Sequence, residues 1–203
     1  MDAASDSYLT VAGGAEAVYK EKSSKFLAYA YHVGNEAEIK ELLDALRKKY
    51  YDATHHCYAW RLGPQGEEYR VNDDGEPSGT AGKPILGQLL SKNVTDALIV
   101  VVRYFGGTKL GVSGLITAYR EAAATVIEEA AIEERTVDVR LEIKFGYLAM
   151  NGVMRIVKEM QPEIVYQRFD NVCEMTLAIR RSKAGELAEK LRKTEGVEME
   201  CKE

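Results

Sequence analysis

The sequence predicts an α+β protein of two domains, and three observations predict it. The chain has 203 residues, too many for one minimal domain and suited to two small ones. Apolar residues make up 46% and charged residues 29%, the balance of a chain that folds rather than one that stays disordered. From residue 138 onward the pattern runs strand, helix, strand, strand, helix, strand, set off from a longer mixed segment before it.

Residues 1–10 are small and polar and are expected to fray. Residues 17–33 read as strand, with a polar interruption at Glu21–Lys25 and a Tyr- and Ala-rich run from Phe26 to Val33. Asn35 is placed to cap a helix, with Glu38 three residues on as in a capping box. Ile39, Leu42, Leu43, Leu46 and Tyr50 follow at helical spacing. Arg47, Lys48 and Lys49 fall in the last turn, where the helix dipole favours cations. Residues 55–62 read as a strand, Gly63-Pro64-Gln65-Gly66 as a turn, and residues 68–71 as the return strand.

A long loop covers residues 72–82. Pro84 suits a first helical turn, and Ile85, Leu86, Leu89 and Leu90 carry that helix. Ala97–Val102 is a continuous apolar run, as in a strand buried on both faces. Residues 103–114 are glycine-rich, and a long helix is expected over 115–131. The charged triplet Glu133-Glu134-Arg135 breaks the pattern, which sets the expected domains at 1–135 and 136–203. Beyond it come strand 138–147, helix 148–160, strands 163–169 and 172–180, helix 184–194 and strand 197–201, the order of the ferredoxin-like split βαβ unit.

The formal net charge is −5, which argues against indiscriminate nucleic-acid binding through phosphate neutralisation. Residues 137–203 carry 12 basic and 12 acidic side chains, so the deficit lies in the first part of the chain. Tyr supplies 12 of the 17 aromatics, a residue suited to half-buried surfaces. Cys57, Cys173 and Cys201 are odd in number and widely spaced, which fits reduced thiols and a cytoplasmic location. The N-terminus lacks an apolar signal core and no apolar stretch has membrane-spanning length, so neither secretion nor membrane insertion is expected.

Three stretches carry chemistry. Arg103-Tyr104-Phe105-Gly106-Gly107-Thr108-Lys109-Leu110-Gly111-Val112-Ser113-Gly114 runs from the buried strand into a helix N-terminus. Its glycines permit close backbone approach, free N–H groups and the helix dipole attract anions, and Arg103 and Lys109 add positive charge. This is either a phosphate or carboxylate cradle or a strand-to-helix turn whose glycines relieve strain. It matches neither the Walker A nor the dinucleotide pattern. The loop at 73–83 sets Asp73, Asp74 and Glu76 beside small hydroxylated residues, a set that either holds Mg²⁺ or makes turns, with Thr80 as a helix cap. No GxSxG elbow surrounds Ser78. In His55-His56-Cys57, pleating lets only His55 and Cys57 share a face, so zinc would need distant ligands. Arg61, Arg70, Arg103, Lys109 and Arg120 with Tyr58, Trp60, Tyr104 and Phe105 form a basic and aromatic set of the kind that holds single-stranded nucleic acid. The same residues also read as core rings and solvated cations.

The order and spacing of His55-His56-Cys57-Tyr58-Ala59-Trp60-Arg61, Asp73-Asp74-Gly75-Glu76-Pro77, Gly79-Thr80-Ala81-Gly82-Lys83-Pro84, Arg103-Tyr104-Phe105-Gly106-Gly107, Leu110-Gly111 and Gly114-Leu115 resemble the YigZ/IMPACT family over residues 15–130. The resemblance implies a ribosomal protein S5 domain 2-like N-terminal domain and a ferredoxin-like C-terminal domain similar to the last domain of elongation factor G. It also implies a link to translation and nucleic-acid binding. The RWD domain of eukaryotic members is not among these 203 residues, so that domain's partners are not carried over.

Two functions are therefore expected. The first is a non-enzymatic translation- or stress-linked regulatory factor that binds RNA or a ribosomal surface. The second is an enzyme or sensor that binds a phosphorylated small molecule between the two glycine-rich loops. The expected anion or nucleic-acid contacts are Arg103, Tyr104, Gly106, Gly107, Lys109, Gly111, Gly114, Arg61, His55 and His56, with Asp73, Asp74 and Glu76 as an acidic loop. No cofactor is expected and no metal is assigned.

Overall fold

The structure is a computed structural model and describes residues 6–202, with side chains to residue 200. Contacts divide the chain into two compact units, Tyr8–Arg135 and Thr136–Glu203 together with the residues before Tyr8. No helix among the described residues is long and apolar enough to cross a membrane.

The first unit is built on a five-stranded antiparallel sheet. Its strands are β2 (Ala15–Glu21), β3 (Ser24–His32), β4 (His55–Leu62), β5 (Glu68–Asn72) and β6 (Ala97–Tyr104), in the spatial order β2-β3-β6-β4-β5. The central strand β6 is buried on both faces, as its unbroken apolar run requires. Helix α1 (Glu36–Lys49) covers the face carrying Tyr58, Trp60, Leu98, Val100 and Val102. Helices α2 (Gly82–Ser91) and α3 (Gly111–Glu129) cover the face carrying Cys57, Ala59, Ile99 and Val101. The capping box at α1 forms as read: Glu38 N–H donates to Asn35 Oδ1 at 3.0 Å, and Gly34 N–H donates to Glu38 Oε2 at 2.8 Å.

Four expectations are corrected here. The interruption at Glu21–Lys25 is a tight turn between two strands, with Lys22 and Ser23 at positive φ. The first ten residues do not all fray. Residues 1–5 lie outside the described ones, but β1 (Ser7–Val11) pairs with β7 (Ile132–Thr136), and Thr10 and Val11 are fully buried. The charged triplet at 133–135 is thus part of a strand rather than a break. Finally, α3 starts at Gly111, four residues before the expected start at residue 115.

The second unit follows β8 (Asp138–Gly146), α4 (Met150–Met160), β9 (Glu163–Arg168), β10 (Val172–Arg180), α5 (Arg181–Arg192) and β11 (Val197–Lys202). Its antiparallel sheet has the order β11-β8-β10-β9. Alternation buries Leu141, Ile143 and Phe145 of β8 and Cys173, Met175, Leu177 and Ile179 of β10 with both helices.

Candidate functional site

The pleat of the first sheet decides which side chains meet. His55 of β4 stands opposite Arg103 of β6, and Phe26 of β3 stands opposite the same arginine. Arg103 therefore sits between neighbours on the face that α2 and α3 cover. Its side chain is only 6% exposed. One guanidinium nitrogen donates to Glu76 Oε1 at 2.5 Å and another to Ser24 Oγ at 3.4 Å. The guanidinium lies between two rings, 5.5 Å from the centre of Phe26 and 5.6 Å from that of Phe105. Arg103 Nε is buried and has no hydrogen-bond partner.

Glu76 is the hub of this network. Besides Arg103, the hydroxyl of Tyr119 on α3 donates to Oε1 at 2.8 Å. His55 Nε2 lies 3.7 Å from the same oxygen. His55 Nδ1 meets the Asp74 carbonyl at 2.7 Å. A carbonyl only accepts, so Nδ1 carries the proton. The Cys57 thiol donates to the Asp73 carbonyl at 3.0 Å and lies 3.3 Å from the Tyr119 hydroxyl. Burial pushes the Cys57 thiol and the Tyr119 phenol well above their usual ranges, so both stay protonated.

The three loop carboxylates point to three different places. Asp73 accepts from the N–H groups of Gly79, Ala81 and Gly82 at 2.8, 3.0 and 2.8 Å. It thereby caps α2 from nine residues away. Burial pushes its carboxyl up, but those N–H groups and Lys83 outweigh that and hold it below the usual range. Thr80 is not the cap; its hydroxyl donates to Pro77 O at 2.7 Å. Asp74 Oδ2 accepts from His56 N–H at 2.6 Å. Glu76 is committed to Arg103 and Tyr119. The Mg²⁺ reading of this loop fails on that divergence. Among the described residues no group of three His, Cys, Asp or Glu side chains is placed to hold a metal.

The glycine-rich segment after β6 has a different role. A Cβ on Gly106 would lie 2.1 Å from the carbonyl carbon and oxygen of Ser23. Gly106 N–H donates to Ser24 Oγ at 3.2 Å, pinning the loop to the β2–β3 turn. Gly107 and Gly111 hold φ of +85° and +73°, which side-chain-bearing residues avoid. Gly114 lies in the first turn of α3, where a Cβ would sit 3.1 Å from that of Leu110. Leu110 caps α3 without a side-chain hydrogen bond, and the first turn holds no acid. Of the two helix starts, α2 is filled by Asp73, while α3 opens on a cleft. That cleft has a volume of about 350 Å³ and is lined by Glu76, Pro77, Arg103, Phe105, Lys109, Leu110, Gly111, Val112 and Leu115. Both glycine-rich loops thus contribute to one cavity.

Several expected residues lie elsewhere. Arg61 is at the opposite end of β4 and donates to Val94 O and Gln65 O at 2.9 and 3.2 Å, a buried structural role. Tyr104 sits on the other sheet face, where its hydroxyl donates to Asp52 at 2.8 Å and is pushed up to about 12 by that carboxylate. His56 is on that face too; its Nε2 is buried without a partner, and burial lowers its pKa. Tyr58 and Trp60 are core, which leaves Phe105, 47% exposed, as the open ring of the aromatic set beside Lys109. Sequence reasoning did not single out Tyr119. Its signal was a phenol on a buried face, which must find a partner.

The second unit has its own cavity, about 360 Å³, on the open face of its sheet. Glu142, Glu174, Glu198 and Glu200 line it with Lys144 and Tyr166. Lys144 and Arg168 both lean on Glu174, at 3.6 and 3.4 Å. The lining sets four carboxylates against Lys144.

The Impact N-terminal domain model matches residues 22–127, over half of the chain. The IMPACT family member YigZ of Escherichia coli is 29% identical over 188 residues, covering 92% of each chain. The IMPACT family member YvyE of Bacillus subtilis is 34% identical over 155 residues, covering 76% of this chain and 71% of its own. A crystal structure described as that of a hypothetical protein superposes with a TM-score of 0.75 at 28% identity over 98% of both chains. This chain belongs to the IMPACT family.

Proposed function

We propose, from membership of the IMPACT family, that this chain is a non-enzymatic, translation-linked regulatory factor whose contact is with RNA, free or on the ribosome. The translation link is what the family resemblance implies. We also read Tyr8–Arg135 as the ribosomal protein S5 domain 2-like domain and the β-α-β-β-α-β unit after it as the ferredoxin-like domain. The RNA reading rests on one observation: an uncapped helix N-terminus opens on a cleft that holds two cations and an exposed ring. Such a helix start attracts anions, and the Glu76 charge is offset by Arg103. A binding rather than reacting role is supported by the groups around Glu76: the buried Cys57 thiol and Tyr119 phenol stay protonated, and the Glu76 carboxylate is paired with Arg103.

The test is binding of RNA and of ribosomes across a salt series, comparing the protein with Lys109→Ala. Loss of one phosphate contact should lower the salt slope by about 0.7–0.9. No binding by the unaltered protein at low salt sinks the RNA reading. The cleft volume of about 350 Å³ also favours a second reading, a phosphorylated small molecule, since such ligands take pockets of roughly 300–1,000 Å³. A rise in melting temperature with a nucleotide or sugar phosphate, abolished by Lys109→Ala, supports it.

A further inference from the structure

We infer that the cleft takes one unstacked nucleotide of single-stranded RNA, its base against the ring of Phe105 and its phosphate at the start of α3 beside Lys109. This rests on the RNA reading and goes beyond it in naming the strand state and the contacts.

Three observations carry it. The first is the loss of the other candidate rings. Tyr58 and Trp60 are 6% and 5% exposed, and Tyr104 faces the opposite side of the sheet. Phe105 is 47% exposed and is held from behind by the Arg103 guanidinium, which rests in turn on Phe26. A ring so backed is a fixed platform, and stacking on it needs no particular base. The second is an unmet demand for an acceptor. The α3 start carries no side-chain cap, and Arg103, 94% buried as a side chain and lining the same cleft, has an Nε with no partner. Exposed Lys109 adds a free-standing positive charge at that helix end. The third is size and shape. A cavity of about 350 Å³ between Pro77, Phe105 and Val112 admits a flipped-out base and its phosphate, whereas the bases of a duplex are already stacked on each other.

The experiment uses the full chain. A fluorescein-labelled single-stranded RNA of mixed sequence, and the duplex of the same length, are titrated by anisotropy against the unaltered protein, Phe105→Ala, Lys109→Ala and Phe105→Trp. The single strand should bind more tightly than the duplex. Phe105→Ala should weaken single-strand binding about tenfold or more, and Lys109→Ala should lower the salt slope by about 0.7. The native Trp60 is buried and out of the strand's reach, so a change in emission on binding comes from the introduced indole. Its emission should be quenched by the single strand and not by the duplex, in a variant that keeps an aromatic platform. If the protein binds RNA but Phe105→Ala binds equally well, or the indole is not quenched, the stacked-nucleotide assignment fails and the RNA reading stands. If the unaltered protein binds neither RNA at low salt, both fail.

Discussion

At Glu76 a single carboxylate oxygen accepts from Arg103 and Tyr119, one donor almost buried at the cleft wall and one fully buried. Glu76 and Arg103 side chains are 4% and 6% exposed, so solvent offers the arginine no substitute. Glu76→Ala should cost about 3–5 kcal/mol, because it leaves a buried charge without its partner. Adding Arg103→Met should return much of that loss. Urea denaturation of the two variants checks both; a cost below about 1 kcal/mol for Glu76→Ala would show that water reaches the guanidinium. His56 makes a second demand at this scale. Burial, only partly countered by Asp74, holds its pKa below the usual histidine value of 6.5. The unfolded chain therefore binds a proton at a pH where the folded chain does not. Stability should fall as pH drops below about 6.5, until the lowered folded value is reached. In His56→Leu, which keeps the backbone N–H that Asp74 accepts from, that share of the pH dependence should vanish. Urea midpoints between pH 7.5 and 5 measure it.

At the scale of elements, local signals were readable and long-range ones were not. The alternation in β4 correctly separated His55 and Cys57 from His56, because strand pleating is a property of neighbours in sequence. Asn35 and Glu38 announced the start of α1 for the same reason. By contrast, β1 is held by β7, more than 120 residues away, and no local pattern encodes that pairing. The cap of α2 was assigned to Thr80 next door when the acceptor is Asp73 across the loop. Of the expected anion contacts, Arg103, Lys109 and Gly111 line the cleft, while Arg61 lies at the far end of β4 and the pleat turns Tyr104 to the other face. Gly106 shows why the glycines resisted interpretation: what it avoids is the backbone of Ser23, 83 positions earlier. Gly106→Ala should therefore push the loop off the β2–β3 turn and cost about 1–3 kcal/mol. Thermal melts should show that loss, and RNA binding should weaken with it, since Phe105 precedes the displaced residue.

For the whole molecule, the described hydrophobic clusters divide by unit. Two of them, on either face of the first sheet, draw only on residues between Val11 and Ala130. A third draws on Leu141 to Leu191. Packing that is separate in this way predicts stability that is separate too. Leu177 is fully buried in the third cluster, so Leu177→Ala should cost the second unit about 2–5 kcal/mol through the cavity it leaves. Native-state hydrogen exchange should then show lost protection in β8 and β10, with β3, β4 and β6 unchanged and RNA affinity intact. If protection falls in both sheets together, the two units unfold as one, and the cleft depends on the second unit for its stability.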